Sequence, residues 1–494
     1  MDQLPFTLAQ PAAADVVTSY VAGDDDGDDW LNKHGHQVHL RGEAGGGWSW
    51  GCRACGLSGP GGGRDEALGD AEQHGGYLEK LTEAPPEGEA LSAEERAVLA
   101  GPWPSRWLRK RMPGDPIRVI NFFAGCGGWC VGIRRVLGVE VDMVCVEMNA
   151  DACATSRAAG CTVIQADVRD LDPGHIALRD TTGVIFSPPC VDWALVGKRL
   201  GHLPENLRIL TGAFDDVREA AGNIPATGMP GQPMTYRAPS IASWAEVRES
   251  LEGMTTKTAQ LMLEIPIWTL GLQLAGAELE FVSVEQSAHL PEEIRMEVWC
   301  DFELAGWQFA EWTVLDAADY GSPSHRRRLF LTASRSGIPT LPIRPEEPIV
   351  TGAPEALGRP VGLEVTTRGA RKTSGGNKFV LKAGQPIPGV TSKVRSWDVG
   401  EHGGRFTLRE IALLVQLPGD HPGVGSRSSV AQQDADIVAP GCSAAVWGHL
   451  LGVAWVPGLR AYLAEQYPAV HGFGRAGVPV QRGVSNARSM LTLW

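Results

Sequence analysis

A thiol follows two prolines at Ser187-Pro188-Pro189-Cys190, directly after the apolar run Gly183-Val184-Ile185-Phe186. Proline fixes φ and stiffens the loop, which suits a nucleophile held at the end of a buried strand. By itself the triplet is equally at home in a structural turn; other residues give it meaning. Phe123-Ala124-Gly125-Cys126-Gly127-Gly128 closes one apolar run and opens a helix pattern, and glycines there let a backbone approach a ligand closely. The next run ends in Glu147, where a carboxylate can accept hydrogen bonds from ribose hydroxyls, and the third leads into Asp167. Each acid alone reads as a surface residue. A glycine loop and two acids at three successive strand ends describe an adenosine pocket. Further on, Glu285 ends an apolar run, and Arg326-Arg327-Arg328 stands directly before the apolar Leu329-Phe330-Leu331. A solvated basic turn is the bland reading of those arginines.

These residues need a scaffold that brings strand ends together. Strands are predicted over 118–123, 141–146, 162–164 and 183–186, with helices over 129–137 and 150–159 between them. Such alternation indicates a parallel, doubly wound α/β sheet. A long helix over 258–274 leads into a strand over 280–285, while 200–255 is broken by Pro and Gly and carries no assignment. Residues 335–404 lose the alternation and hold short strand-like pieces. Helical periodicity returns over 407–414 and 443–465. The 494 residues leave room for two or three domains. No apolar run approaches the roughly 18 residues of a membrane span, and no basic segment followed by an apolar stretch opens the chain, so a cytoplasmic protein is expected. Ten irregularly spaced cysteines are then reduced thiols, ligands or nucleophiles rather than a disulfide framework. The formal net charge of −14 argues against a nucleic-acid partner for the chain as a whole. The charge is uneven, however. Acids crowd Asp24-Asp25-Asp26-Gly27-Asp28-Asp29, whereas Arg344, Arg359, Arg368, Arg371, Lys372, Lys378, Lys382, Lys393 and Arg395 face few carboxylates, which points to a local anionic partner.

In this order the motifs resemble those of the cytosine-5 DNA methyltransferases, over about 117–465. The matching pieces are Phe-Ala-Gly-Cys-Gly-Gly at 123–128, Glu147, Asp167, Pro-Pro-Cys at 188–190 and Val284-Glu285-Gln286. Asp319-Tyr320-Gly321-Ser322-Pro323-Ser324-His325-Arg326-Arg327-Arg328, Arg405-Phe406-Thr407-Leu408-Arg409-Glu410 and Gly441-Cys442-Ser443 follow. Departures are Ser324 for the usual Gln, Gln286-Ser287 for Asn-Val, Gly441-Cys442 for Gly-Asn, and Asn121 for an Asp before the glycine loop. The resemblance implies a Rossmann-like methyltransferase sheet, S-adenosylmethionine as methyl donor and a cytosine flipped out of double-stranded DNA as substrate. It implies cofactor contacts from Phe123, Gly125, Gly127, Gly128, Glu147, Met148, Asp167, Val168 and Pro188. Cys190 is then the nucleophile that adds to C6, Glu285 stabilises charge at N3, Arg328 holds O2, and Arg326 supports the base or the cysteine loop. Two readings compete: a tRNA-cytosine methyltransferase, and a catalytically silent DNA-binding relative.

A second cluster lies upstream. Cys52 and Cys55 have the spacing at which two thiolates reach one tetrahedral metal, and Trp48 and Trp50 alternate into Cys52 as in a hairpin. His74 and His39, favoured over His36, complete an expected structural zinc site. The expected organisation is thus a disordered acidic segment (1–30), a small zinc-binding module (31–80), a linker (81–115), a catalytic domain (116–334 and 405–466) interrupted by a smaller target-recognition domain (335–404), and a flexible tail (467–494), acting on DNA as a monomer.

Overall fold

All six side chains of Ile117–Phe122 are buried. A strand with no solvent face belongs in the middle of a sheet covered on both sides, as its continuous apolar run requires. The computed structural model describes residues 101–472, apart from 109, 195–197, 222–240, 368–377 and 401–403, together with three strand segments between 38 and 61. Those three, β1 (Val38–Gly42), β2 (Trp48–Cys52) and β3 (Ser58–Gly61), pair antiparallel in that order, so the hairpin expected around Trp48 and Trp50 is present. Val38 pairs with Cys52 and His39 with Gly51, so His39 and Cys52 stand one register apart. The side chains of His39 and Cys52, and residues Cys55 and His74 altogether, lie outside the described residues.

Seven strands build the main sheet: β4 (Ile117–Phe122), β5 (Val141–Glu147), β6 (Thr162–Gln165), β7 (Thr181–Phe186), β8 (Phe281–Ser287), β9 (Phe309–Asp316) and β10 (Arg327–Ser334), in the order β6-β5-β4-β7-β8-β10-β9. The first five run parallel. β10 inserts between β8 and β9, antiparallel to both, so the sheet is mixed rather than wholly parallel. The reason is the connection: the short segment from Asp316 to Arg327 holds no crossover helix, and without one the chain can only turn back antiparallel.

Side chains alternate between two buried faces. Ile120, Phe122, Phe186 and Val284 pack beneath Leu210, Phe214 and Trp268 on one side. Val119, Cys145, Ile185 and Phe330 pack beneath Ile133, Trp447 and Leu459 on the other. The C-terminal helix Pro440–Leu451 seals the second face: a Cβ on Gly183 would sit 2.9 Å from the Trp447 ring, and the Trp447 indole donates to Ser283 Oγ at 3.2 Å.

Several elements differ from expectation. Residues 202–255 contain the helices Pro204–Ala220 and Ile241–Glu249. The first buries Asn206, Leu210, Ala213, Phe214 and Val217, a helical spacing present in the sequence. Arg218 on this helix bonds Asp301 and Glu297 at 2.6 Å each; burial still pushes Asp301 up to about 7. The single helix expected over 258–274 is a 3-10 turn, Ala259–Leu263, followed by the α-helix Glu264–Leu274. The one expected over 443–465 breaks at Gly452 (φ 64°) into Pro440–Leu451 and Val456–Gln466. After Gly128–Cys130 the helix widens to π-form over Val131–Val136, with Leu137 N–H reaching Gly132 C=O at 2.8 Å. Residues 335–404 contain β11 (Glu364–Thr366), β12 (Lys378–Val380) and β13 (Asp398–Val399), ordered β12-β11-β13, on a core of Val365, Leu381, Val394, Trp397 and Phe406. Among the described residues no helix is long and apolar enough to cross a membrane.

Candidate active site

Parallel pairing aligns Phe122 with Val146, so the loop after β4 and the carboxylate after β5 emerge side by side. Phe123 (φ 57°), Gly125 (φ 56°) and Gly127 (φ 98°) all adopt left-handed backbone, which glycine supplies without steric cost and Phe123 adopts under strain. Glu147 stabilises the turn: Gly125 N–H donates to Oε2 at 2.9 Å and Asn149 N–H to Oε1 at 2.8 Å. Each Glu147 oxygen keeps a second lone pair for a ligand hydroxyl. Asp167 receives the Arg169 side chain at 2.6 and 3.0 Å, and these bonds hold its carboxyl below the usual range.

A cleft of about 1140 Å³ runs from this loop to Cys190. Phe123, Gly125, Gly128, Glu147, Met148, Asp167, Val168 and Pro188 line one end, and Cys190, Glu285, Arg326 and Arg328 the other. Gly127 stands apart from the lining, its α-carbon backing onto Ser156 and Cys161. Gly128 has a packing role as well, since a Cβ there would meet the Val438 carbonyl at 2.3 Å.

At the Cys190 end, sheet register decides which groups meet. Glu285 on β8 pairs with Phe330 on β10, and Arg328 lies two residues along from Phe330, on the same face and diagonal to Glu285. Arg328 Nε sits 3.0 Å from Glu285 Oε1, yet the pair makes no aligned hydrogen bond, and both atoms are buried without a hydrogen-bond partner. Arg326 Nε is buried and unpartnered too, while its Nη1 donates to the Ala435 carbonyl at 2.6 Å. Unmet buried polar atoms are costly, and three of them gather here, where a polar ligand could satisfy them. Burial raises the Glu285 carboxyl above its ordinary range, against the pull of Arg328 and Arg326. Burial also raises the Cys190 thiol, opposed by Arg328. Arg326, desolvated and beside Arg328, drops to about 10.

Two side chains hold the cysteine loop. Trp129 Nε1 donates to Ser187 Oγ at 2.8 Å, and Gln286 Nε2 donates to the Pro188 carbonyl at 3.1 Å. Gln286, fully buried, had no role assigned from the sequence, where it stands beside Glu285 in place of the family's usual Asn. Its contact partner is 98 positions away, a distance no local pattern reports. Beyond the loop, Asp192 accepts from the hydroxyls of Thr256 and Thr258, linking the cysteine segment to the end of the 202–255 insertion. Ser324, another departure, donates to the Leu414 carbonyl at 2.6 Å, and Cys442 is buried. Removing the Pro188 tether by Gln286→Ala leaves a buried carbonyl unpaired, costing about 1–3 kcal/mol. The expected result is a kcat loss of about 10²-fold through misplacement of Cys190, with cofactor affinity unchanged. Steady-state kinetics beside calorimetric cofactor titration separates the two; a change confined to cofactor affinity would refute the positioning role.

Residues 117–208 match the family model described as C-5 cytosine-specific DNA methylase. The chain is 27% identical over 249 residues to the type II methyltransferase M.XorII of Xanthomonas oryzae pv. oryzae, covering 48% of this chain and 45% of that protein. Over 97 residues it is 32% identical to the type II methyltransferase M.DdeI of Desulfomicrobium norvegicum, covering 18% and 22%. M.AquIA of Picosynechococcus, also a type II methyltransferase, is 24% identical over 228 residues, covering 44% and 73%. The chain thus spans about half the length of the first of these relatives.

Proposed function

We propose that this chain, whose residues 117–208 match the C-5 cytosine-specific DNA methylases, is a DNA (cytosine-5-)-methyltransferase. The observation that carries this reading is the single cleft lined by the glycine loop, Glu147 and Asp167 at one end and by Cys190, Glu285 and Arg328 at the other. A methyl donor and a base bound in it would share one space.

The donor set fits S-adenosylmethionine: carboxylates for hydroxyl and amino groups, and apolar walls from Phe123 and Val168 for a flat ring. Bound there, S-adenosylmethionine supplies an electrophilic methyl group. Phe123, Gly125, Gly128, Glu147, Met148, Asp167, Val168 and Pro188 would hold it, with Gly127 shaping the turn from behind. Cytosine C5 is a weak nucleophile, so the chain must activate the ring. Cys190 as thiolate adds to C6, and the electrons it contributes make C5 able to attack. Glu285, whose carboxyl is raised by burial, in its protonated form donates to N3 and neutralises the charge that arrives there. Arg328 donates to O2, and Arg326, anchored on the Ala435 carbonyl, supports the base or the cysteine loop. A base within a duplex cannot reach these groups, so it must rotate out of the stack, costing a few kcal/mol.

Residues 335–404, where Lys and Arg outnumber Asp and Glu in the sequence, are proposed as the target-recognition domain, with phosphate contacts fixing register. The remaining domain boundaries are proposed as the sequence places them, with the protein acting as a monomer on double-stranded DNA in a modification role like that of its type II relatives. For the upstream module, the Cys52-x-x-Cys55 spacing is the basis on which a structural zinc held by Cys52, Cys55, His74 and His39 is proposed. Glu147→Ala removes the acceptor for two backbone donors and the ribose-facing carboxylate together. Cofactor affinity is expected to fall by about 10²-fold while DNA binding persists, as calorimetry and gel shift would report. The function itself is tested by bisulfite sequencing of DNA from cells expressing the protein, beside methyl transfer to duplex DNA and to tRNA in vitro. Cytosines protected in one sequence context are expected. Transfer to tRNA alone, or no transfer with both substrates bound, would overturn the proposal.

A further inference from the structure

Beneath the glycine loop, in the core that covers the second face of the sheet, three thiols converge from three elements. Cys130 ends the first helical turn after the loop, Cys145 lies on β5 and Cys161 precedes β6. All three are buried, at 4%, 0% and 8% exposure, and none has a part in methyl transfer. Their sulfurs lie within 4.8 Å of one another, Cys130 and Cys145 at 3.4 Å. Sulfurs sharing one tetrahedral metal at about 2.3 Å are separated by about 3.8 Å, whereas a disulfide requires about 2.05 Å. The observed spacing sits around the first value and far from the second. A fourth soft donor is at hand, with Met143 Sδ 3.4 Å from the Cys130 sulfur.

The surroundings suit a charged centre better than three neutral thiols. Asn121 is wholly buried; its amide donates to Cys145 Sγ at 3.8 Å, and its Oδ1 has no partner. An amide bonded to a ligating sulfur is a common outer support of thiolate metal sites. Arg134, which donates to the Gly160 carbonyl at 3.3 Å, lies near enough to all three sulfurs to interact with each. Three thiolates with Zn(II) leave a single negative charge, which one guanidinium balances; with Cu(I) they leave two, of which Arg134 offsets one.

We propose that Cys130, Cys145 and Cys161 bind one thiophilic d10 cation, Zn(II) or Cu(I), as a structural centre under the cofactor loop. Loading forms three metal–sulfur bonds and releases three thiol protons, with no redox change. The centre would brace the loop directly, because Cys161 Sγ lies 3.7 Å from where a Gly127 Cβ would stand.

The test uses the full chain carrying Cys52→Ser and Cys55→Ser, which removes the other thiol pair. Metal content by mass spectrometry distinguishes zinc from copper. Titration with Cd(II) is expected to give a thiolate-to-cadmium charge-transfer band saturating at one equivalent, to protect three thiols from alkylation and to raise Tm. Adding Cys161→Ser is expected to remove the band and the Cd(II)-induced rise in Tm while the circular dichroism of a folded chain persists. If that variant does not fold, the thiols alkylated with and without Cd(II) in the parent decide the matter alone. No band in the folded parent, protection of fewer than three of these cysteines, or a Cys130–Cys145 disulfide in the metal-free protein would overturn the proposal.

Discussion

Cys190→Ala is expected to lower methyl transfer to duplex DNA by at least about 10⁴-fold, as loss of a covalent nucleophile generally does. S-adenosylmethionine affinity should change little, because the glycine loop, Glu147 and Asp167 occupy the other end of the cleft. The same substitution should abolish the covalent adduct expected between the parent protein and a duplex containing 5-fluorocytosine. Fluorine at C5 cannot leave as a proton does, so the bond from Cys190 to C6 persists after transfer and can be seen on a denaturing gel. The effect is large because no second thiol can replace it: every other described cysteine lining the cleft or packed behind it is buried, and Cys126 alone among them reaches the lining. Adduct formation by the alanine variant, or full retention of turnover, would end the mechanism.

Glu285→Gln is expected to cost about 10²–10⁴-fold in the chemical step, the usual range for a proton-transferring group. Its diagnostic is the pH profile. Burial raises both Glu285 and Cys190, and the active form needs the first protonated and the second ionised. Below the raised Glu285 pKa only the thiolate fraction changes, so the single-turnover rate climbs with pH. Between the two values the gain in thiolate offsets the loss of protonated carboxyl, and the rate is flat. Above the Cys190 pKa it falls. Glutamine does not titrate, so the variant should climb without a plateau up to the Cys190 value. A plateau retained in the variant would show that another group is responsible.

Stability should move the other way. A carboxyl whose pKa is raised by folding favours the fold below its unfolded value, about 4.3, and that contribution is lost as pH rises through the folded value. Glu285→Gln removes this dependence, so the variant's Tm should equal or exceed the parent's at pH 8, with the difference shrinking toward pH 4. Loss of activity with gain of stability is expected where a buried charge serves catalysis rather than folding.

Much of the site was legible before any fold. The glycine loop, the two strand-end acids, Pro-Pro-Cys, Glu285 and the arginine run are local patterns, the earlier ones set where apolar runs end, although Glu285 and Arg328 lie within β8 and β10. So did the π-widened helix after Gly128 register simply as helix, since both forms carry the same apolar face. Tertiary structure decided what lies between distant residues. Only the antiparallel insertion of β10 beside β8 sets Arg328 diagonal to Glu285, and only the folded core brings Gln286 to Pro188 and Thr256 to Asp192. Likewise, Gly127 faces Ser156 and Cys161 because the loop packs on the segment between β5 and β6. Periodicity speaks for a few neighbouring residues, whereas register and packing arise from contacts made across most of the chain. Those contacts turn a list of reactive residues into one cleft.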